Sequence, residues 1–174
     1  MNKIEIRLSE PIEAGHVAAV LRESFAEYEA LYTPQGFAAT TPSSEQVLER
    51  FEEGPIWVAV LGSEIVGTVA AVLRADHLYV RGMAVLPEAR GKRAGDLLLE
   101  EIERFARLNN RNRLVLSTTP FLVRAIRLYQ RHGFRRTGEG VQDLFGTPLF
   151  TMQKLIGNDQ KMSKELIEEL KRPD

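Results

Sequence analysis

The chain has 174 residues, 44% apolar and 27% charged, with 23 Lys plus Arg against 24 Asp plus Glu and a net charge of −1. That length suits one domain able to bury roughly 70% of its unfolded surface, and the charge balance argues against attachment to nucleic acid or an acidic membrane by bulk charge. The absence of cysteine excludes disulfides, Cys-ligated zinc and a thiol nucleophile; no apolar run approaches the roughly 18 residues of a membrane span, and MNKIEIRLSEP lacks a signal-peptide core, so a cytoplasmic location is expected.

Lys3 to Leu8 alternates polar and apolar residues, as a half-buried strand does. Pro11 suits the first turn of a helix carrying Val17, Val20, Leu21, Ser24, Phe25 and Tyr28 on one face. Residues 29–42, with two prolines, a glycine and three threonines, read as an irregular loop. Ser43 and Gln46 have capping-box spacing ahead of Val47, Leu48 and Phe51, and Gly54-Pro55 closes that second helix. Ile56–Leu61 and Ile65–Leu73, joined by Gly62-Ser63-Glu64, predict an antiparallel hairpin. His77–Val85 predicts a further strand. Residues 91–107 predict a helix with Ala94, Leu98, Ile102 and Phe105 on one side. Leu114–Ser117 is a short buried strand, and Thr119-Pro120 opens a helix that Gly133 ends. Phe134–Thr137 and Leu149–Leu155 read as closing strands.

The order β, α, α, a three-strand meander, then α, β, α, β, β predicts an α/β (α+β) fold. Its single mixed, mostly antiparallel twisted sheet has about 6–7 strands flanked by helices, without the strict βαβ alternation of a dinucleotide fold. The domain is expected to span residues 1–156. Residues 157–174 form a charged tail whose stripe of Met162, Leu166, Ile167 and Leu170 is too thin for an independent helix. It is expected to dock on its own domain or on a partner subunit, which leaves a homodimer open.

The richest chemistry lies in Met83-Ala-Val-Leu-Pro-Glu-Ala-Arg-Gly-Lys-Arg-Ala-Gly95. A strand ends near Val85, and a helix begins near Gly91, where unpaired amides carry the positive end of the helix dipole. The small residues Gly91, Ala94 and Gly95 admit a phosphate close to that backbone, and Arg90, Lys92 and Arg93 add charge. The same residues read equally as an ordinary helix start with solvated basic side chains. Gly62 to Gly67 has the glycine spacing of a phosphate loop, but Thr68 stands where lysine is required, so the hairpin explains it better. In Ala125-Ile-Arg-Leu-Tyr-Gln-Arg-His-Gly-Phe134, Tyr129 lies one turn before a glycine cap; alone, it reads as a packing residue. His16 reads as a surface residue and Trp57 as core. Three scattered histidines offer no metal site, and none is expected.

Taken together, "RGKRAG" after "MAVLP" and "AIRLYQRHGF" about 35 residues later resemble motifs A and B of the GNAT superfamily of acyl-CoA N-acyltransferases. The resemblance in element order covers Ile4 to Leu155. It implies a cofactor-binding segment of Met83, Ala84, Val85, Arg90, Gly91, Lys92, Arg93, Ala94 and Gly95. The Val85 amide would hold the thioester carbonyl, and residues 90–95 the pyrophosphate. It implies Tyr129 as the general acid beside the CoA sulfur, with acetyl-CoA as acyl donor and no metal. The acceptor implied is a primary amine of a small molecule or peptide, with neither nucleic acid nor membrane as partner.

Two positions depart from the family's pattern. Arg93 occupies the place of motif A's first small residue, and Leu122 stands where many relatives carry a cofactor-contacting asparagine. No general base is assigned from Glu27, Asp76, His77 and Glu88, each of which reads first as a surface residue. Tyr28, Tyr32 and Phe37 with Glu23, Glu27 and Glu29 would suit a cationic amine; the alternative is a solvated helix face with packing aromatics. A catalytically silent CoA-binding or regulatory module is the rival reading. On the motif A reading, Gly95 is bare so that the pyrophosphate can approach, and Gly95→Glu should leave the fold near intact.

Overall fold

The computed structural model describes residues 3–140 and 142–157; the helix expected over 159–171 lies outside them. The alternating first segment forms β1 (Ile4–Leu8), which pairs antiparallel along the sheet's edge with β2 (Ile56–Leu61). A turn at Pro11–Glu13 leads into α1 (Ala14–Phe25), whose Val17, Val20, Leu21 and Ser24 are buried as their spacing requires. The stretch expected to be irregular holds instead a tight turn at Ala26–Leu31 and a helix, α2 (Pro34–Thr40). Its start signals were present: Thr33 Oγ1 accepts from the Gly36 amide at 3.0 Å, and Pro34 fills the first helical position. Gly36 and the threonine-rich composition masked them.

α3 (Ser44–Glu53) carries the predicted capping box: the Gln46 amide donates to Ser43 Oγ at 3.3 Å, and the Ser43 amide to Gln46 Oε1 at 2.9 Å. β2, β3 (Glu64–Leu73) and β4 (Leu78–Val85) form the predicted meander. α4 (Ala94–Leu108) starts three residues later than expected, because Gly91 and Arg93 both take positive φ, of 78° and 67°. β5 is Arg113–Thr118 and α5 is Val123–Arg131, again later than Thr119-Pro120 suggested. β6 (Arg135–Arg136) is brief, and a small hairpin of β7 (Asp143–Leu144) and β8 (Thr147–Pro148) precedes β9 (Phe150–Leu155). That hairpin had no alternation long enough to be seen in the sequence.

The main sheet has seven strands in the order β1-β2-β3-β4-β5-β9-β6, and only β4 and β5 run parallel. α1 packs on α3 and on β3 and β4, whereas α4 covers strands β1 to β5 from the opposite face. Leu98 and Ile102 of α4 are fully buried, each contributing roughly 1.5–3 kcal/mol of apolar burial. Trp57 is core, as read, with its ring 5.1 Å from Phe105. Among the described residues no helix is long and apolar enough to cross a membrane.

Candidate active site

β4 and β5 pair only at Leu78 with Leu114 and at Tyr79 with Val115. Beyond those two positions the strands diverge and leave a gap in the sheet. The cause is visible in β4: between Ala70 opposite Arg81 and Thr68 opposite Ala84, one residue of β3 faces both Gly82 and Met83. This is a β-bulge, and Gly82 takes φ +59° within it, a conformation glycine adopts without side-chain strain.

Past the bulge, the Leu86 amide donates to Val66 O at 2.8 Å. Antiparallel pairing alternates along a strand, so the amide of Val85 turns to the opposite edge, towards the gap. A cleft of about 760 Å³ occupies this divergence. Met83, Ala84, Val85, Arg90, Gly91, Arg93, Ala94, Gly95 and Tyr129 all line it; Lys92 is exposed and does not.

At the start of α4 the amides of Gly91, Arg93, Ala94, Gly95 and Asp96 have no acceptor among the described residues. They form a ready anion cradle at the positive end of a helix of 15 residues. A Cβ at Gly91 would meet nothing within 4 Å, so its role is conformational and its surroundings are open. Gly95 differs from expectation. A Cβ there would lie 2.7 Å from Leu128 Cδ2, so its bareness lets α5 approach α4, and Gly95→Glu disturbs that packing as well as any ligand.

The basic side chains of the segment are largely committed elsewhere. Arg90 Nη1 pairs with Glu27 Oε1 at 2.5 Å and Nη2 reaches Ser24 O at 3.3 Å. Arg93 Nη2 lies 3.3 Å from Glu100 Oε1. The cradle is therefore chiefly backbone. Additional positive charge comes from α5, where Arg124, Arg127 and Arg131 line the cleft on one helix face. Arg131 bonds Asp96 at 3.1 Å; Arg124 and Arg127 have no ion-pair partner among the described residues. Sequence reading missed this face, although its i, i+3, i+7 spacing was available.

Tyr129 sits in the last turn of α5, 6% exposed, with its ring 5.8 Å from that of Phe134. Burial, with Tyr32 nearby, pushes its phenol above the ordinary range, so it remains a protonated donor. Tyr28 and Tyr32 line the same cleft and pack against Phe121, at centroid distances of 6.3 and 4.9 Å. The β7–β8 hairpin closes this end. The Thr33 amide donates to Thr147 Oγ1 at 2.9 Å, which brings Leu144 to the cleft wall.

The glutamates near the first long loop form no lining for a cationic amine. Glu23, Glu27 and Glu29 do not line the cleft, and Glu27 is bound to Arg90. Glu88 also lies outside it, and so do Asp76 and His77, which pair with each other at 2.7 Å. Among the described lining residues the single carboxylate is Asp96, held by His132 at 2.8 Å as well as by Arg131. No group of three His, Asp or Glu gathers to hold a metal among the described residues.

The site is thus a mixed sheet that parts after a bulge, with open amides on both the strand and the following helix. Residues 19–134 match the model of the acetyltransferase (GNAT) family, and the chain belongs to that family. It is 44% identical over 85 residues to N-acetylaspartate synthetase of Danio rerio, covering 48% of this chain and 30% of that one. It is 32% identical over 132 residues to the synthetase of that name from Xenopus tropicalis, covering 75% and 43%. The chain thus spans less than half the length of these curated relatives. Among solved structures it is similar to the PaiA N-acetyltransferase of Thermoplasma acidophilum in complex with coenzyme A, with TM-score 0.75 and 21% identity over 88% of this chain and 99% of that one. It is also similar to YncA of Salmonella typhimurium with acetyl-CoA, with TM-score 0.69 and 20% identity over 90% and 95%.

Proposed function

We propose that this chain transfers an acetyl group from acetyl-CoA to the primary amine of a small molecule or peptide. One observation carries the reading: the gap-facing Val85 amide, the open amides of α4 and the buried Tyr129 hydroxyl share one cleft. The fit to a pyrophosphate is good, because unpaired amides and the bare Gly91 admit an anion without displacing a side chain. Acetyl-CoA supplies the activated acyl carbon; the chain supplies position and protons.

The Val85 N–H is placed to donate to the carbonyl oxygen as negative charge builds there during attack by the amine nitrogen. As the C–N bond forms and the C–S bond breaks, Tyr129 donates its proton to the sulfur and regains one from solvent. The attacking nitrogen loses its proton to water through the open cleft. A lysine-like amine with pKa near 10.4 pays roughly 4–5 kcal/mol for entering neutral at pH 7, and the cationic lining lowers that cost by disfavouring the ammonium form. The curated relatives are named for an N-acetylated amino acid, which puts amino acids first among acceptors to test.

The rival reading, a module that binds CoA without transfer, draws on the lack of a free carboxylate in the lining. Release of CoA thiol with a panel of amino acids, polyamines, aminoglycosides and N-terminal peptides separates the two. Stabilisation by acetyl-CoA with no turnover on any amine selects the silent module. Given turnover, Tyr129→Phe should lower it roughly 10- to 1000-fold with acetyl-CoA affinity little changed. Wild-type turnover in that variant, where chemistry limits the rate, would assign the sulfur's proton to water.

A further inference from the structure

Two arginines crowd the other end of the cleft, beside the bulge of β4. Arg50 reaches across from α3, with Nη2 3.4 Å from Ala39 O and Nη1 3.2 Å from where a Gly82 Cβ would stand. Its guanidinium therefore lies over the bulged backbone. Arg81 projects from β4 itself, and both side chains line the cleft. Glu53 is the carboxylate they share: its Oε1 is 2.9 Å from Arg81 Nη2, close enough for an ion pair but not aligned as a hydrogen bond. Arg81 Nε is buried with no hydrogen-bond partner among the described residues.

Two cations thus face one carboxylate, and that carboxylate lies outside the cleft lining, on a side chain 44% exposed. A half-buried pair of guanidiniums with one counter-charge is unfavourable unless a second anion joins it. The pair's own titration agrees with this strain: burial, and then the Arg81 charge, press the Arg50 guanidinium below its ordinary range. Glu53, held by Arg81, stays below the usual carboxylate range and is fully ionised. Tyr32, Thr40 and Tyr129 line the same cleft as the two arginines. Arg81 precedes Val85 by four residues on β4, whereas the open amides of α4 follow it, so the arginines lie on the side of Val85 left for the acceptor.

We propose that Arg50 and Arg81 form a carboxylate clamp, so that the acceptor is an amine carrying its own carboxylate, an amino acid in place of a polyamine. A planar guanidinium fork suits a carboxylate in a bidentate pose, which a flexible ammonium does not reproduce. The clamp orients the acceptor by its acid group while its amine nitrogen faces the thioester carbon. This inference rests on the acetyl-transfer reading, but the two fail in different experiments.

The test compares L-aspartate and L-glutamate with their fully amidated forms and with spermidine, by CoA-thiol release from the full chain. The acids should exceed the amides and spermidine in kcat/KM by about 10-fold or more, and Arg81→Gln should pull that ratio towards one. Wild-type protein that acetylates amides or spermidine as well as the acids overturns the clamp and leaves acetyl transfer standing. If no amine turns over while acetyl-CoA binds, the transfer reading falls, and calorimetry of L-aspartate with CoA-loaded protein decides the clamp. Binding that Arg81→Gln abolishes upholds it; no binding to the wild type overturns it.

Discussion

Arg93 shows how much a single backbone angle explains. It occupies the place where motif A has a small residue, and it stands at φ +67° as the residue before α4. A side chain in that conformation costs about 1–2 kcal/mol relative to glycine. That backbone angle by itself favours a small residue here, and the Arg93 side chain reaches Glu100. Arg93→Gly should relieve the strain, less the extra unfolded-state entropy of glycine, for a net gain of up to about 1 kcal/mol by chemical denaturation. Acetyl-CoA affinity should stay within about 2-fold, since the open amide remains. A net loss of stability would show that the Arg93–Glu100 contact outweighs the strain.

At the scale of elements, an edge strand and the first helix are clipped together by charge. Arg7 on β1 bonds Glu13 with Nη2 to Oε1 at 2.6 Å and Nη1 to Oε2 at 3.0 Å. Glu13 Oε2 also accepts from the Glu10 amide at 2.9 Å and from Ser9 Oγ at 3.1 Å. The Arg7 guanidinium, followed by those donors, draws the Glu13 carboxyl down to about 2. A depressed carboxylate contributes stability that is complete above its unfolded pKa and vanishes as pH falls through the folded one. For Glu13 the window runs from the ordinary value of 4.5 down to about 2. The pair is partly solvated, which discounts its worth, so Glu13→Gln should cost about 1 kcal/mol in urea titrations at pH 7. The gap from wild type should shrink steadily below pH 4.5. A gap that stays constant to pH 3 would make the loss a matter of packing.

The whole molecule places its electrostatics where its sheet is open. β4 and β5 part, α4 points its amino end at the gap, and the face of α5 brings Arg124 and Arg127 alongside. These two arginines are exposed and unpaired among the described residues, so they are free to meet the phosphates of a bound cofactor. Arg124→Gln and Arg127→Gln should each weaken acetyl-CoA binding by about 3- to 10-fold at low salt. The effect should fade near 0.5 M salt, where a Debye length of about 4 Å screens exposed charge. Unchanged affinity in both variants would leave the cofactor's phosphates to the backbone cradle alone.

What was legible in the sequence was periodic or spaced. The stripe of α1, the capping box of α3, the meander and the paired motifs around Val85 and Tyr129 are local patterns, and local backbone physics produces them in place. Short elements escaped: α2, seven residues hidden behind Gly36, and the β7–β8 hairpin of two-residue strands. Which partner a side chain finds was decided only when distant segments met. Gly95 is bare because Leu128 of another helix fills its place, and Glu27 is spent on Arg90 instead of on an acceptor. The Arg50–Arg81 pair joins a helix and a strand whose residues lie some 30 positions apart. No periodicity links such positions. Long-range contact depends on how the chain closes on itself, so the sequence by itself determined the longer elements and the motifs that mark the family, and the tertiary structure decided which charges line the cleft.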